Sequence, residues 1–159
     1  MNEHCGVTGK VAIVFGGSRG IGAAAARRLA SEGADVAITY VSAPERAAET
    51  VRAIETIGRS GLAIKADSAD PAAIKAAVAQ TVDHFGKLDI AIVNAGILML
   101  GDVATVSVED LDRMLDVNVR GVFLAIQAAA ARLTDGGRII TIGSNTRCEA
   151  AIRGRAFTR

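Results

Sequence analysis

The sequence predicts an α/β domain built on a doubly wound parallel sheet of about five strands, and three features carry that expectation. Apolar runs at 11–15, 36–41, 62–64, 90–93 and 139–142 alternate with longer segments of helical period, and parallel strands need such crossovers. Glycine or proline punctuates nearly every junction. A glycine-rich turn stands between the first apolar run and the first helical segment. The length of 159 residues suits one domain with a sizeable core.

Taken in order, the first strand VAIVF (11–15) is apolar at every position, as a strand covered on both faces must be. The helix that begins near Gly20 ends at Gly33, where a left-handed C-terminal cap is wanted. After the second strand, Pro44 opens a helix that Gly58 closes; after the short third strand, Asp70-Pro71 reads as N-cap followed by the first helical residue. Gly86 closes that third helix ahead of the fourth strand. From 109 to 133 the positions Leu111, Met114, Leu115, Val122, Ile126 and Leu133 approximate one face of a single long helix. Asn118 falls on that stripe, where an amide must find partners or cost stability. The alanine tracts 23–26 and 128–131 fit inside helices, and 139–142 supplies the fifth strand.

Half of the residues are hydrophobic and 22% are charged, a balance that excludes a disordered chain. No apolar run approaches the roughly 20 residues that span a bilayer, and the N-terminus lacks an apolar signal core, so a cytoplasmic protein without membrane partners is expected. The overall charge of +1 is uneven: residues 147–159 hold four arginines and one glutamate, a local +3 that leaves −2 for residues 1–146. A mildly acidic body gives no reason to expect a nucleic-acid partner. Cys5 and Cys148 have no paired spacing, so neither a disulfide framework nor a metal site is expected.

The glycine turn reads Gly16-Gly17-Ser18-Arg19-Gly20-Ile21-Gly22. A strand turning sharply into a helix leaves free N–H groups at the helix start, and absent side chains let a pyrophosphate approach them. A strand before and a helix after are the context that makes this pattern informative. In dinucleotide folds an acid at the end of the second strand binds the ribose 2′-hydroxyl, whereas a 2′-phosphate calls for cations. The second strand ends in Tyr40-Val41-Ser42 without a carboxylate. Asp35 lies at its far end, about 17 Å away at ~3.3 Å per residue. Arg19, with Arg46 as a helper, favours NADP(H) over NAD as the cofactor.

The motifs GGSRGIG (16–22), ADSAD (66–70), LDIAIVNAG (88–96), NVRGVF (118–123) and GRIITIGS (137–144), in this order and spacing, resemble the short-chain dehydrogenase/reductase family, most of all its 3-oxoacyl-acyl-carrier-protein reductases. The resemblance implies a Rossmann-type sheet with about five of the family's seven strands in residues 1–146, followed by an atypical basic tail at 147–159. It implies a cofactor site of Gly16, Ser18, Arg19, Gly20, Ile21, Gly22, Tyr40, Asp67, Ser68, Asn94, Ala95 and Gly96, with Asp67 on the adenine amino group. Phe15 departs from the Thr or Ser usual before the first glycine, and is expected to loosen the bond between the loop and the Asn94 region. Asn118 corresponds to a catalytic asparagine that holds a water in a proton relay. Ser144 corresponds to the serine that hydrogen-bonds the substrate carbonyl of a ketone or 3-oxoacyl thioester.

The family's proton-donating Tyr and its Lys partner have no counterpart. Phe157 stands thirteen residues after Ser144, the matching Lys would fall past residue 159, and the only tyrosine is Tyr40. The resemblance therefore implies a chain that ends before its chemistry is complete, with weakened cofactor binding, little or no ketone reduction, and apolar faces of the long helix and sheet edge left exposed. The family is homo-oligomeric, and part of that interface would be missing.

Overall fold

A computed structural model describes residues 6–99 and 104–144; His4, Cys5, Cys148, Phe157 and the 147–159 segment lie outside these. Five strands form one parallel sheet: β1 (Val11–Phe15), β2 (Asp35–Tyr40), β3 (Gly61–Lys65), β4 (Ile90–Val93) and β5 (Arg138–Thr141), in the order β3-β2-β1-β4-β5. The chain builds outward from β1 to β3, then crosses back to place β4 on the other side of β1. That reversal opens a crevice beyond the carboxyl ends of β1 and β4, where open α/β sheets take ligands.

Side-chain alternation explains the unbroken apolar runs. Ile13 and Phe15 point into a core with Ile74, Val78 and Val93, covered by α3 (Pro71–Phe85) and α5 (Val122–Ala130). Ala12 and Val14 face the opposite core with Ala26, Ile38, Ala47 and Ile54, under α1 (Gly20–Ser31) and α2 (Pro44–Thr56). Both faces of β1 are dry, so no polar position survives in it. The helix ends follow the sequence expectation: Asp70 accepts from the Ala72 N–H at 2.8 Å, and Gly86 closes α3 with φ +82°.

The long helix expected over 109–133 is not continuous. It comprises α4 (Val108–Leu115), a π-helical segment (Asp116–Gly121) and α5. Its buried face is Val117, Gly121, Ala125 and Ala129, whereas Leu111, Leu115, Val119 and Phe123 are exposed. Small residues win the buried face because the helix lies very close to β3's exit: a Cβ at Gly121 would collide with the Ser68 carbonyl. Of the expected stripe, Val122, Ile126 and Leu133 are half-buried against the core while Leu111 and Leu115 are exposed, and β5 exposes Ile140, followed by Ile142, so apolar surface stands open on the helix and the sheet edge as expected.

At the opposite end of the sheet from the crevice, Asp89 precedes β4 in a fully engaged setting. Its carboxylate accepts from the Val11 N–H at 2.9 Å and the Thr134 hydroxyl at 2.7 Å, with Lys10 at 3.3 Å and Lys87 at 3.4 Å. This ties β1, β4 and the turn before β5 together. Asp35, at the same end, bonds Arg59 at 2.7 Å and the Ser60 N–H at 2.8 Å, and serves structure there.

Candidate functional site

A cleft of about 710 Å³ opens at the carboxyl ends of β1 to β4. Its floor is the glycine turn. Gly16 has φ +76°, and a Cβ there would come within 2.9 Å of the Ala95 Cα, so the turn can lie against the exit of β4 only as glycine. The Gly16 N–H donates to Thr39 Oγ1 at 3.0 Å, the Gly17 N–H donates to the Thr39 carbonyl at 3.0 Å, and Asn94 Nδ2 donates to the Gly16 carbonyl at 2.9 Å. With Phe at position 15 the loop is still joined to Asn94 through its backbone. The Phe15 ring is buried in the core while the bond from Asn94 to the loop is made by the Gly16 backbone, which a change of side chain at 15 leaves in place.

Thr39 is a site residue that sequence reasoning missed. A threonine in a buried apolar strand was the available signal, since its hydroxyl needs a partner. Thr39→Val is expected to leave the Gly16 N–H without its acceptor and to cost about 1–3 kcal/mol, read as a lowered urea midpoint, together with weaker nucleotide binding.

Beyond the turn, α1 begins at Gly20. The N–H groups of Gly20, Ile21 and Gly22 have no carbonyl one turn back within the helix to bond, and a Cβ at Gly20 would project into open space. This open cradle of N–H groups suits a phosphate. Exposed Arg19 and Arg46 line the same cleft beside Tyr40, Val41, Ser42 and Ala43. The end of β2 brings no carboxylate to it. A dinucleotide with an extra phosphate on its adenine ribose fits this donor set.

Opposite the turn, Asp67 and Ser68 follow β3. Asp67 Oδ1 accepts from the Ala69 N–H at 2.9 Å and Oδ2 pairs with Arg113 at 2.8 Å. Partial burial alone would raise the Asp67 carboxyl, but the Ala69 N–H and the Arg113 guanidinium outweigh it and hold it below the ordinary value. Ser68 is buried, and its carbonyl is the contact of Gly121. Arg113, a cleft residue from α4, carried no local sequence signal.

Gly16, Ser18, Arg19, Gly20, Ile21, Tyr40, Asp67, Ser68, Asn94, Ala95 and Gly96 all line the cleft, and Gly22 packs beneath it. Asn118 is exposed instead of lying on a buried stripe, because the π-helical segment turns it outward. Its amide bonds the Ile97 backbone twice: Nδ2 donates to the carbonyl at 2.7 Å and Oδ1 accepts from the N–H at 2.9 Å. Asn118 thus holds the segment after β4 that forms the cleft wall. Ser144 stands exposed three residues past β5 and does not line the cleft. A model of the family described as short chain dehydrogenase matches residues 10–157.

The chain belongs to the short-chain dehydrogenase family. Versicolorin reductase 1 of Aspergillus parasiticus is 43% identical over 93% of this chain and 56% of its own length. Elsinochrome reductase 1 of Elsinoe fawcettii is 41% identical over 87% of this chain and 52% of its own length. Among solved structures, a short-chain dehydrogenase of Burkholderia cenocepacia in complex with NADP superimposes with a TM-score of 0.85 at 54% identity, over 87% of this chain and 56% of that one. A blue fluorescent protein from a metagenomic library, in complex with NADPH, gives a TM-score of 0.85 at 49% identity over 94% of this chain and 62% of that one. The chain spans about half the length of the curated short-chain dehydrogenases it matches. No described helix is long and apolar enough to cross a membrane.

Proposed function

We propose that this chain forms the NADP(H) site of a short-chain oxidoreductase that reduces a carbonyl group, either a ketone or a 3-oxoacyl thioester. The observation that carries the proposal is the cleft itself: an open N–H cradle at Gly20 to Gly22, with Arg19 and Arg46 alongside and no carboxylate at the end of β2. Arginine at this edge favours a 2′-phosphate, and a carboxylate there would have favoured a bare ribose. When bound, the nicotinamide supplies a hydride. The protein's residues bind and orient. The turn from Gly16 to Gly22 receives the pyrophosphate, Asp67 accepts from the adenine amino group, and Asn94, Ala95 and Gly96 form the wall at the exit of β4. Asn118 keeps one lone pair and one N–H beyond those bonded to Ile97, enough to hold a water in a proton path. Ser144 would orient the substrate carbonyl. Two relatives are named versicolorin reductase and elsinochrome reductase, which supports reduction as the direction of the reaction.

A second reading, a non-catalytic NADP(H)-binding protein, is favoured by one observation. Within these 159 residues the one tyrosine, Tyr40, lies at the end of β2, and Phe157 stands thirteen residues after Ser144. A phenyl ring has no proton to give. Titration of the purified chain with NADPH, followed by fluorescence, is expected to show saturable binding stronger than that of NADH. Adding a ketone or a 3-oxoacyl thioester is expected to cause little loss of NADPH absorbance. Rapid oxidation would exclude the second reading, and failure to bind NADPH would exclude both.

A further inference from the structure

We infer that Arg113 is a positioning residue that sets the purine selectivity of the cleft through Asp67; the inference rests on the NADP(H) reading above. The two side chains come from α4 and from the exit of β3, separated by 46 positions in sequence, and both line the cleft. Each is partly exposed, so the pair adds little to stability. Its effect is geometric. The Ala69 N–H holds Oδ1 at 2.9 Å and the Arg113 guanidinium holds Oδ2 at 2.8 Å, so both oxygens of the carboxylate are tied in one orientation.

A carboxylate oxygen accepts more than one hydrogen bond, so Asp67 keeps acceptor capacity after both ties are made. An ionised carboxylate has no proton to donate. A base edge that brings an N–H to it is stabilised, and one that brings a carbonyl oxygen is repelled. Adenine offers an exocyclic amino group; hypoxanthine offers a carbonyl oxygen at the same position. With Arg113 in place the carboxylate is held in one orientation, which makes the discrimination sharp. Without it, Asp67 turns freely about its Oδ1 tie, meets solvent, and the two bases are separated less.

The test compares binding of NADPH with that of its hypoxanthine analogue to the 159-residue chain and to Arg113→Met and Arg113→Lys, by fluorescence titration. The unsubstituted chain is expected to prefer NADPH. In R113M the ratio of the two dissociation constants is expected to fall about tenfold, the equivalent of one oriented hydrogen bond. R113K keeps the charge without the planar fork and is expected to lose less of the ratio. An unchanged ratio in R113M or R113K, whichever folds as judged by its urea transition, overturns the inference while leaving NADP(H) binding standing. Absence of NADPH binding by the unsubstituted chain overturns both.

Discussion

Gly22→Ala is expected to collapse the nucleotide cleft while leaving the sheet topology intact. A Cβ at Gly22 would overlap the Gly16 carbonyl and approach Asn94 Nδ2 to 2.6 Å. Those two groups are bonded to each other at 2.9 Å, and that bond holds the turn against the exit of β4. The added methyl meets backbone on one side and a tethered amide on the other, so no flexible side chain can yield. Overpacking of this kind costs about 1–3 kcal/mol, occasionally more. Here the strain falls on the turn that presents the N–H cradle, so NADPH affinity is expected to drop on the order of a hundredfold, equivalent to about 2.7 kcal/mol. Fluorescence titration beside a urea transition separates the two effects. An alanine variant that binds NADPH as the parent does would show that the turn does not depend on this contact. Gly20→Ala makes a useful contrast: its Cβ meets no protein atom, and its effect is expected through φ +55° and the loss of space for the phosphate.

Asp89→Ala is expected to cost about 3 kcal/mol of stability. The Val11 N–H is buried and loses its acceptor, and the Thr134 hydroxyl loses its partner, which unties the turn before β5 from the sheet. Asp89→Asn keeps an acceptor for Val11 and should cost less. The pH dependence has a definite sign. Burial of the Asp89 carboxyl would by itself raise it, but the Val11 N–H, the Thr134 hydroxyl and the two lysines outweigh that and lower it below its ordinary 3.8. A carboxyl lowered in the folded state stabilises above its unfolded value, and the contribution disappears as pH falls through the folded value. Urea midpoints of the parent and of Asp89→Asn should differ at neutral pH, the difference should begin to shrink as pH falls past the ordinary 3.8, and it should vanish only below the lower folded-state value. A difference that persists into strong acid would assign the loss to packing instead of charge. Because Asp89 lies at the opposite end of the sheet from the cleft, NADPH affinity should change little under conditions where the variant is folded.

The cleft was legible in the sequence wherever its residues follow one another. The turn from Gly16 to Gly22 and the absence of an acid after β2 are local patterns, the glycines disclose where backbone must come close, and the exits of β3 and β4 were marked by the family resemblance. Thr39 and Arg113 were not legible, because each acts on a partner far away in the chain: Thr39 on Gly16 across 23 positions, Arg113 on Asp67 across 46. Asn118 was legible as a residue needing partners but not as one partnered by Ile97. Its outward setting comes from the π-helical segment, whose extra residue per turn breaks the helical count that placed it on a buried face.

By itself the sequence determined the alternation of strands and helices, their ends, and the anion-binding turn, because apolar period, capping residues and glycine act over a few neighbours. Tertiary structure alone decided which face of the helical stretch from 108 to 130 is buried. The close approach of Gly121 to the Ser68 carbonyl selects small residues for that face and leaves Leu111, Leu115, Val119 and Phe123 outside. Hydrophobicity orders side chains by their preference for burial, but the distance between two packed backbones settles which of them there is room for.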